Sequence, residues 1–376
     1  MDFDFPEDIT KAREKASDFA RKEISSEMAR KYDLEEKFPE ELRKKAFEYG
    51  IIDYQNPWSM LVTIEELCRA DPGMGISATV SLFGAEVIML FGSDAQKEKY
   101  LGRVQNGEKI MGLAVTEPGG GSDVAGITTT AVEKDGKLVL NGAKMFITNG
   151  TIADFFVMLV RTSTPDSKRH HGLSAVIVDS DTPGFTKNKL VGKLGVRATN
   201  TAELILDNVS IPKENLIGEE GKGFYYIMTF FNISRAYVAA QAIGIAQGAL
   251  DRILAYLDGL KNNGQQNEIT EEIQFMAADI ATRIEASRLL TYKAASYLFQ
   301  FRPNPTLTSM SKAYASETAV YAAEKALEIT GYTGITGDLE RFFRDSKIME
   351  IWEGTSEIEK LIISRNLMKE FAEVNQ

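Results

Sequence analysis

One carboxylate near the end of the chain stands in a setting that favours chemistry. Glu353 lies between Trp352 and Gly354, after an amphipathic stretch at residues 342–351. A glutamate before a glycine is ordinarily a solvated surface residue, but here the aromatic neighbour offers an apolar wall and the glycine frees the backbone. Desolvation in such a place raises the pKa of a carboxylate, so Glu353 is a candidate general base.

The residues after Glu353 predict a helix that anchors this loop. Ser356 followed by Glu359 matches the capping box with which many helices begin. Leu361, Met368 and Phe371 then fall on one face of the predicted helix.

A glycine-rich segment is the second candidate site. Residues 114–123 read AVTEPGGGSD, an apolar strand that ends at Pro118 and three consecutive glycines. An ordinary turn is the alternative interpretation. Three glycines in a row, however, allow backbone N–H groups to approach a ligand closely, and such a nest favours anions. The segment therefore predicts an anion-binding loop.

A third segment, residues 141–150, reads NGAKMFITNG and predicts a hairpin turn followed by a strand. Alternation along that strand places Phe146 and Thr148 on one face and Ile147 on the other. An aromatic and a hydroxyl on a strand are by themselves ordinary core residues. Arg235, early in an apolar helix, is likewise by itself a surface residue whose charged end reaches water.

The composition excludes several classes of protein. A net charge of −11 argues against a nucleic-acid-binding protein. Cys68 is the only cysteine, which forbids an internal disulfide and favours a reducing compartment. The only two histidines are the adjacent His170 and His171, so we expect no zinc site and no other metal site. The sequence motifs of serine hydrolases, P-loop NTPases and Rossmann dinucleotide-binding proteins are absent.

The chain is also expected to be a cytoplasmic protein that does not insert into a membrane. No apolar run approaches the roughly 18–20 residues that a membrane helix needs. The acidic residues 1–11, MDFDFPEDITK, lack the character of a signal or transit peptide.

The elements that must position these segments follow the order helices, strands, helices. Helical periodicity covers residues 6–106, with a helix start at Pro39 and buried helices at 61–70 and 78–91. It returns after Gly223 at 235–257, where Gly244 and Gly248 allow close packing, and then at 273–299 and 307–329. Short strands are predicted between these regions at 138–140, 155–161, 173–179 and 202–206, separated by turns at 135–136, 141–142, 183–184 and 207–208.

Taken together, residues 114–123, 141–150 and 351–365 resemble the acyl-CoA dehydrogenase family, flavoproteins that introduce an α,β double bond into acyl-CoA thioesters. The resemblance extends over nearly the whole chain. It implies a mixed α and β fold with a helical domain at 1–110, an antiparallel, β-barrel-like domain that contacts flavin at 111–217, and a helical-bundle domain at 218–376. It further implies FAD as cofactor, an electron-transfer flavoprotein as partner and a homotetramer or homodimer.

The resemblance also implies roles for individual residues. Glu353 is the base that removes the α-proton, and Thr148 hydrogen-bonds near flavin N5. The other residues expected to contact FAD are Leu113, Val115, Thr116, Gly121, Ser122, Phe146 and Thr355. Those expected to contact the substrate are Ser122, Phe231, Asn232, Arg235, Trp352 and Gly354.

The sequence departs from the family pattern at several positions. Asn232 replaces an acid, and Ser234 occupies the place where some members carry the catalytic glutamate. An RxxFG segment that reaches the FAD of the neighbouring subunit in the family is here residues 260–264, LKNNG, without its arginine and phenylalanine. Glu328 replaces a glutamine beside a glycine loop at 331–334. We expect the changes at 260–264 and at Glu328 to weaken the binding of FAD.

Two alternatives to dehydrogenation remain open within this fold. One is related flavin chemistry on acyl-CoA, as in an oxidase or a decarboxylating dehydrogenase. The other is a flavin-poor subunit that binds acyl-CoA. The length and branching of the acyl chain are not encoded in any recognisable residue, because an acyl pocket is lined by apolar helix residues that look like core.

Overall fold

The computed structural model describes residues 5–164 and 168–375 and confirms the predicted fold class, with helices in both terminal parts and a central sheet. Residues 1–4, part of the segment used to predict the absence of a signal peptide, lie outside the described residues. The α-helices are α1 (Glu7–Glu23), α2 (Ser26–Glu35), α3 (Glu40–Glu48), α4 (Pro57–Ala70), α5 (Pro72–Thr79), α6 (Ala85–Phe91), α7 (Asp94–Gln96), α8 (Gly102–Gln105), α9 (Gly223–Asn262), α10 (Glu271–Leu298), α11 (Pro305–Thr330), α12 (Tyr332–Thr336), α13 (Leu339–Ser346) and α14 (Ser356–Val374). The strands are β1 (Met111–Ala114), β2 (Thr130–Lys134), β3 (Lys137–Thr148), β4 (Phe155–Arg161), β5 (Leu173–Asp179), β6 (Phe185–Lys189), β7 (Thr201–Pro212) and β8 (Leu216–Ile217).

The strands form one mainly antiparallel sheet. Its order is β6-β7-β3-β2-β4-β5-β8, with β1 beside β4. β1 and β2 each pair with β4 in parallel, a departure from the purely antiparallel expectation. β4 and β5 begin and end where the sequence predicted, and nearly every residue of both is buried. β2 and β3 form a hairpin through Asp135 and Gly136, both with positive φ, as the turn prediction required.

Two other predicted turns lie inside strands. β3 runs through Asn141 and Gly142, and its partner β7 runs through Asp207 and Asn208. The pairing register shifts at this point, and the backbone N–H of Asn208 donates to Asn141 Oδ1 at 2.9 Å. The prediction of a hairpin turn at 141–142 was wrong, because asparagine and glycine are favoured in bulges for the same reason that they are favoured in turns.

The helical predictions were correct in position but not always in extent. The predicted segments 61–70, 235–257, 273–299 and 307–329 coincide with α4, α9, α10 and α11, which differ from them at their ends. Pro39 is the residue before α3 and not part of its first turn. The segment 78–91 was predicted as one helix but is broken, because Gly84 has a φ of +98° and α6 begins at the next residue.

One stretch is long and apolar enough by composition to pass for a membrane span, contrary to the sequence-based expectation. It covers Pro72–Phe91, and 72% of it is buried inside the protein. Because the stretch is divided into short helices and mostly buried, it is explained as a core segment.

The described chain forms two compact units. The first contains residues up to 76, the short segment 194–198 and residues from 232 onward. The second contains the residues from 77 to 193 and from 199 to 231, and so holds the whole sheet. Helix α9 contributes its first residues to the second unit and the remainder to the first.

The first unit is a bundle of long helices. α1 packs against α4, and α11 packs against α10, α13 and α14. α9 approaches α4 closely where it carries glycine, since a Cβ at Gly244 would lie 2.3 Å from the carbonyl oxygen of Glu65, and one at Gly248 would lie 2.2 Å from that of Arg69. The expected role of both glycines in close helix packing is therefore confirmed.

The segment 194–198 belongs to the first unit because α13 holds it. The buried Asp345 accepts from the backbone N–H of Val196 at 2.5 Å, and Arg344 donates to the carbonyl of Leu194 at 3.0 Å. Val196 has a φ of +44°, unusual for a β-branched residue. Burial raises the pKa of Asp345 to about 7, and this carboxyl has an anchoring role that the sequence did not indicate.

Candidate active site

Glu353 lies in a strained turn of the first unit, between the short 3₁₀ segment Lys347–Glu350 and helix α14. The φ angles are +55° at Glu353 and +110° at Gly354. Glycine adopts such values readily and glutamate rarely does. Left-handed backbone at a residue other than glycine is concentrated at functional sites, which makes this turn the first place to look for chemistry.

Only glycine fits after Glu353. A Cβ at position 354 would lie 2.2 Å from Glu359 Oε1 and 3.3 Å from Arg235 Nη2. The backbone freedom that the sequence led us to expect at Gly354 is thus required twice, by the φ angle and by the close approach of the Glu359 carboxylate.

Three side chains from two other helices hold the turn. The hydroxyl of Ser234 donates a hydrogen bond to Glu353 Oε2, and Arg235 Nε donates to the backbone oxygen of Glu353 at 3.2 Å. Lys312 Nζ donates to the backbone oxygen of Gly354 at 2.5 Å. The base and its turn are therefore fixed by α9 and α11, although they follow neither helix in sequence.

The environment of Glu353 raises the pKa of its carboxyl toward neutral pH. Burial raises the pKa of Glu353 to about 7, against the opposing effects of the Ser234 hydrogen bond and the Arg235 and Lys312 charges. The expected direction is confirmed, with the enclosing protein as the main cause. A carboxylate with a pKa near 7 is well matched to general-base catalysis at neutral pH.

The helix after Glu353 is capped by a different residue from the one predicted. Thr355 is the N-cap of α14, and its hydroxyl accepts from the backbone N–H of Ile358 at 3.3 Å. The predicted capping box of Ser356 and Glu359 was wrong. Glu359 cannot serve it, because its carboxylate is fully buried and lies 2.9 Å from Arg235 Nε.

Arg235 is a buried residue, which overturns its ordinary interpretation as a surface side chain. It is 5% exposed, and its Nη1 donates to Asn232 Oδ1 at 3.2 Å. Trp352 is half-buried, and its indole N–H has no acceptor within the described part of the chain. Of the remaining residues expected to contact the substrate, Phe231 packs on Phe230 in the second unit, with ring centroids 5.7 Å apart.

Sequence reasoning missed three residues of this site as contacts: Ser234, Lys312 and Glu359. Lys312 is completely buried, and burial lowers its pKa to about 8. The available signal was a lone lysine within a helix of small residues, TLTSMSKAYAS, where a long charged side chain has no obvious route to water. No comparable signal marked Ser234 or Glu359.

The glycine-rich segment lies in the second unit, directly after β1. The side chains of Leu113 and Val115 are 5% and 6% exposed, so these residues can offer a ligand only their backbone. Gly119 and Gly120 face open space where a Cβ would stand, while Gly121 lies against Thr116. The segment therefore presents accessible backbone, as a phosphate or flavin contact requires.

Charge in this segment is compatible with an anionic ligand. Ser122 is exposed, and the carboxylate of the next residue, Asp123, accepts from Arg169 at 2.8 Å. Because this ion pair offsets the negative charge of Asp123, the loop does not present an uncompensated carboxylate to a phosphate.

A buried ion pair that the sequence did not indicate holds the start of the glycine-rich segment. Lys144 Nζ donates to Glu117 Oε1 at 2.9 Å and to the carbonyl of Val115 at 3.1 Å, and Lys144 is completely buried. Glu117 also accepts from the backbone N–H groups of Thr128 and Thr129. Burial alone would raise the pKa of Glu117, but Lys144 and these hydrogen bonds lower it to about 2.

A second bulge changes the expected geometry of the third segment. Phe146 has a φ of +60°, and the register of β3 against β7 shifts between Lys144 and Ile147. Strict alternation, from which Phe146 and Thr148 were placed on one face, therefore does not hold through Phe146. Phe146 is 68% exposed, Thr148 is half-buried and Ile147 is buried, so the aromatic ring is free to pack on a flat ligand.

The positions that depart from the family pattern lie in the first unit. Leu260 is 9% exposed, whereas Lys261 beside it is exposed. Glu328 is exposed and lies 2.5 Å from Lys325 Nζ, and Tyr332 in the adjacent glycine loop is 82% exposed. Across the described residues, no group of three or more histidine, cysteine, aspartate or glutamate side chains is placed to hold a metal.

Comparison with known proteins agrees with these features along the whole chain. Models of the acyl-CoA dehydrogenase N-terminal, middle and C-terminal domains match residues 6–108, 112–209 and 221–368. The chain is 40% identical to an acyl-CoA dehydrogenase of Bacillus subtilis (strain 168), over 95% of this chain and 97% of that protein.

Two solved structures have nearly the same fold. Butyryl-CoA dehydrogenase from Megasphaera elsdenii aligns with a TM-score of 0.91 at 34% identity, covering 98% of this chain and all of that one. A chain solved in work on the electron transferring flavoprotein of Acidaminococcus fermentans and flavin-based electron bifurcation aligns with a TM-score of 0.92 at 35% identity, covering 98% and 99% of the two chains. This protein belongs to the acyl-CoA dehydrogenase family and is an acyl-CoA dehydrogenase.

Proposed function

We propose that this enzyme uses FAD to oxidise a short-chain acyl-CoA to the trans-2-enoyl-CoA, with Glu353 as the base that removes the α-proton. The observation that carries the proposal is the Glu353 turn itself. A carboxylate whose pKa is raised to about 7 is held there by Ser234 on its side chain and by Arg235 on its backbone.

In this proposal, Glu353 Oε accepts the proton from the α-carbon while Arg235 and Lys312 keep the turn in place. The backbone N–H of Glu353 is offered to the thioester oxygen, where negative charge develops as the proton leaves. Phe231, Asn232, Trp352 and Gly354 are proposed to contact the substrate. The buried Arg235 and the partnerless indole N–H of Trp352 support a polar group of the substrate near this turn.

FAD fits the second unit on three grounds. Accessible backbone at Gly119 and Gly120 suits the pyrophosphate, and Asp123 forms an ion pair with Arg169. The exposed ring of Phe146 suits packing on a planar ring. We propose that FAD is held there by the backbone of Leu113, Val115 and Thr116, by Gly121 and Ser122, and by Phe146 and Thr148; when bound, it supplies the acceptor for the two electrons removed from the substrate.

The partner and the assembly are proposed on similar grounds. The structural likeness to a chain studied with an electron transferring flavoprotein supports such a protein as the electron acceptor. Helix α14 exposes Leu361, Met368 and Phe371 by 40%, 73% and 74%, an apolar face that supports association into a homotetramer or homodimer. A cytoplasmic location is consistent with the single, buried Cys68.

Replacement of the base tests the reaction. Glu353→Gln preserves the shape of the side chain but cannot accept a proton, so anaerobic bleaching of the flavin by butyryl-CoA is expected to slow at least about 10³-fold while FAD remains bound. Glu357→Gln, which removes an exposed carboxylate four residues further on, in the first turn of α14, is the matched control and is expected to keep the wild-type rate. Near wild-type bleaching by Glu353→Gln would show that the base is another residue.

A second candidate function, a flavin-poor subunit that binds acyl-CoA, is favoured by one observation. The residue in place of the arginine that reaches the neighbouring FAD, Leu260, is buried and cannot replace that contact. A colourless pure protein that fails to take up added FAD would favour this candidate. A yellow protein bleached by acyl-CoA would exclude it.

A further inference from the structure

Two buried cations and a buried carboxylate surround the turn that carries the half-buried Glu353. Arg235, Lys312 and Glu359 are 5%, 0% and 0% exposed and come from α9, α11 and α14. Each cation donates to a backbone carbonyl of the turn, Arg235 to that of Glu353 and Lys312 to that of Gly354. All of these residues lie in the first unit.

The two cations alone would work against a base at Glu353. Positive charge beside a carboxylate favours its ionised form and lowers its affinity for a proton. A carboxylate with lower proton affinity is a weaker base for a carbon acid. A negative charge near the turn would offset the charges of Arg235 and Lys312. Because both cations are buried, water screens them only weakly and cannot replace such a charge.

Glu359 is placed to supply that charge. Its Oε1 lies 2.9 Å from Arg235 Nε. Among the charges that raise the pKa of Lys312 against the effect of burial, that of Glu359 is the largest, ahead of those of Glu353 and Glu350. Burial raises the pKa of Glu359, whereas Arg235, the hydroxyl of Ser309 and Lys312 favour its ionised form.

We propose that Glu359 is a positioning residue that offsets the charges of Arg235 and Lys312 and thereby keeps the Glu353 carboxylate basic. The proposal rests on the role of Glu353 given above and extends it to a residue for which no role in the reaction was assigned. Its contact with Gly354, where a Cβ would lie 2.2 Å from Oε1, also lets Glu359 define the position of the turn.

Two substitutions of opposite sign test the proposal. Glu359→Gln keeps the shape and removes the negative charge, leaving both cations to act on Glu353. Lys312→Met removes one cation and keeps Glu359. The measurement is the pH dependence of flavin bleaching by butyryl-CoA in anaerobic stopped-flow experiments on the FAD-loaded enzyme.

The acidic limb of the rate profile is expected to move down by about one pH unit or more in Glu359→Gln and up in Lys312→Met, because the two charges act on the Glu353 carboxyl in opposite directions and a neighbouring charge can shift a carboxyl pKa by that order. Glu357→Gln removes an equal charge from an exposed position on the same helix and is expected to leave the limb unchanged. A purely structural role would lower the rate in both variants without moving their limbs in opposite directions.

Each outcome has a distinct meaning. An unmoved limb in Glu359→Gln, or shifts of the same sign in both variants, overturns the role of Glu359 while leaving that of Glu353 intact. If Glu359→Gln does not fold alone, it is combined with Lys312→Met so that no buried lysine loses its partner, and the double variant is compared with Lys312→Met. A limb that is not lower in the double variant overturns the proposal. Failure of the base assignment itself is seen separately, as rapid bleaching by Glu353→Gln.

Discussion

At the scale of single residues, Glu353 must satisfy two demands that conflict. A base gains proton affinity when it is desolvated, but a buried carboxylate left without partners is too costly to keep ionised. Ser234 donates a hydrogen bond to the carboxylate, whereas Arg235 and Lys312 donate to backbone oxygens of the turn and favour the ionised carboxylate only through their charge. Because its pKa is about 7, the carboxyl populates both protonation states near neutral pH.

This balance predicts the pH dependence of the wild-type reaction. Glu353 acts as a base only when it is deprotonated, and its pKa is raised from 4.5 to about 7. The rate of flavin bleaching is therefore expected to rise as the pH increases through about 7 and then to level off. The measurement is single-turnover bleaching at saturating butyryl-CoA, and a rate already constant down to pH 5, roughly the range of an ordinary carboxyl, would contradict the assignment.

Gly354 carries a second prediction at this scale. Gly354→Ala places a Cβ 2.2 Å from Glu359 Oε1 at a φ of +110°, so the turn must move. Left-handed strain alone costs on the order of 1–3 kcal/mol, and we expect a lower melting temperature together with a loss of at least about tenfold in the bleaching rate. Gly102→Ala, where a Cβ meets nothing within 4 Å, is the control. Wild-type stability and rate in Gly354→Ala would show that the turn is not constrained as described.

At the scale of elements, the close approach of α9 to α4 depends on glycines in α9. Gly244→Ala would bring a Cβ to 2.3 Å from the carbonyl oxygen of Glu65, which forces two helices of the first unit apart. Such overpacking costs about 1–3 kcal/mol, so the free energy of unfolding is expected to fall by that amount.

A glycine on the same helix provides the matched control. A Cβ at Gly259 meets nothing within 4 Å, so Gly259→Ala gains helix propensity without a clash and is expected to stabilise by roughly 0.5–1 kcal/mol. Chemical denaturation of both variants measures the two effects. Equal effects of the two substitutions would mean that glycine in α9 matters only through propensity and not through packing against α4.

Elements whose pattern is local were predictable from the sequence, and those decided by pairing were not. β4 and β5 were predicted to the residue, because each is a short, largely apolar run that ends at a charged residue. The bulges at Asn141 and Phe146 were missed, since a bulge depends on the register of the partner strand, which the sequence of one strand does not contain.

The candidate site divides in the same way. Glu353 and Gly354 could be found because they stand together in a recognisable motif. Ser234 meets Glu353 across 119 positions of sequence and Lys312 meets Gly354 across 42, so their contacts exist only once α9, α11 and α14 are packed. Glu359 was even misassigned, because its spacing from Ser356 satisfies a local capping rule that the buried Arg235 overrides.

At the scale of the whole molecule, the affinity for FAD depends on residues that, in the family, contact the FAD of the neighbouring subunit and that are replaced in this chain. Leu260 is buried, so Leu260→Arg would place a guanidinium in the protein interior and is a poor test of FAD binding. Lys261 is exposed but offers a point charge and not a bidentate fork. Glu328 is therefore the better probe.

Glu328 bears a negative charge where the family pattern has a neutral glutamine, and Lys325, 2.5 Å away, offsets that charge only partly at an exposed site. A lost charge-assisted contact to phosphate is worth roughly 1.5–3 kcal/mol, or about tenfold and more in affinity. We therefore expect the purified protein to be a mixture of FAD-free and FAD-loaded forms, which added FAD converts fully to the loaded form.

Glu328→Gln is expected to slow FAD dissociation, which is measured by flavin fluorescence after dilution. Glu324 is an exposed carboxylate one turn earlier on α11, and Glu324→Gln is expected to leave the dissociation rate unchanged. Stoichiometric, tightly held FAD in the wild type with no gain in Glu328→Gln would mean that other residues of this chain grip the pyrophosphate.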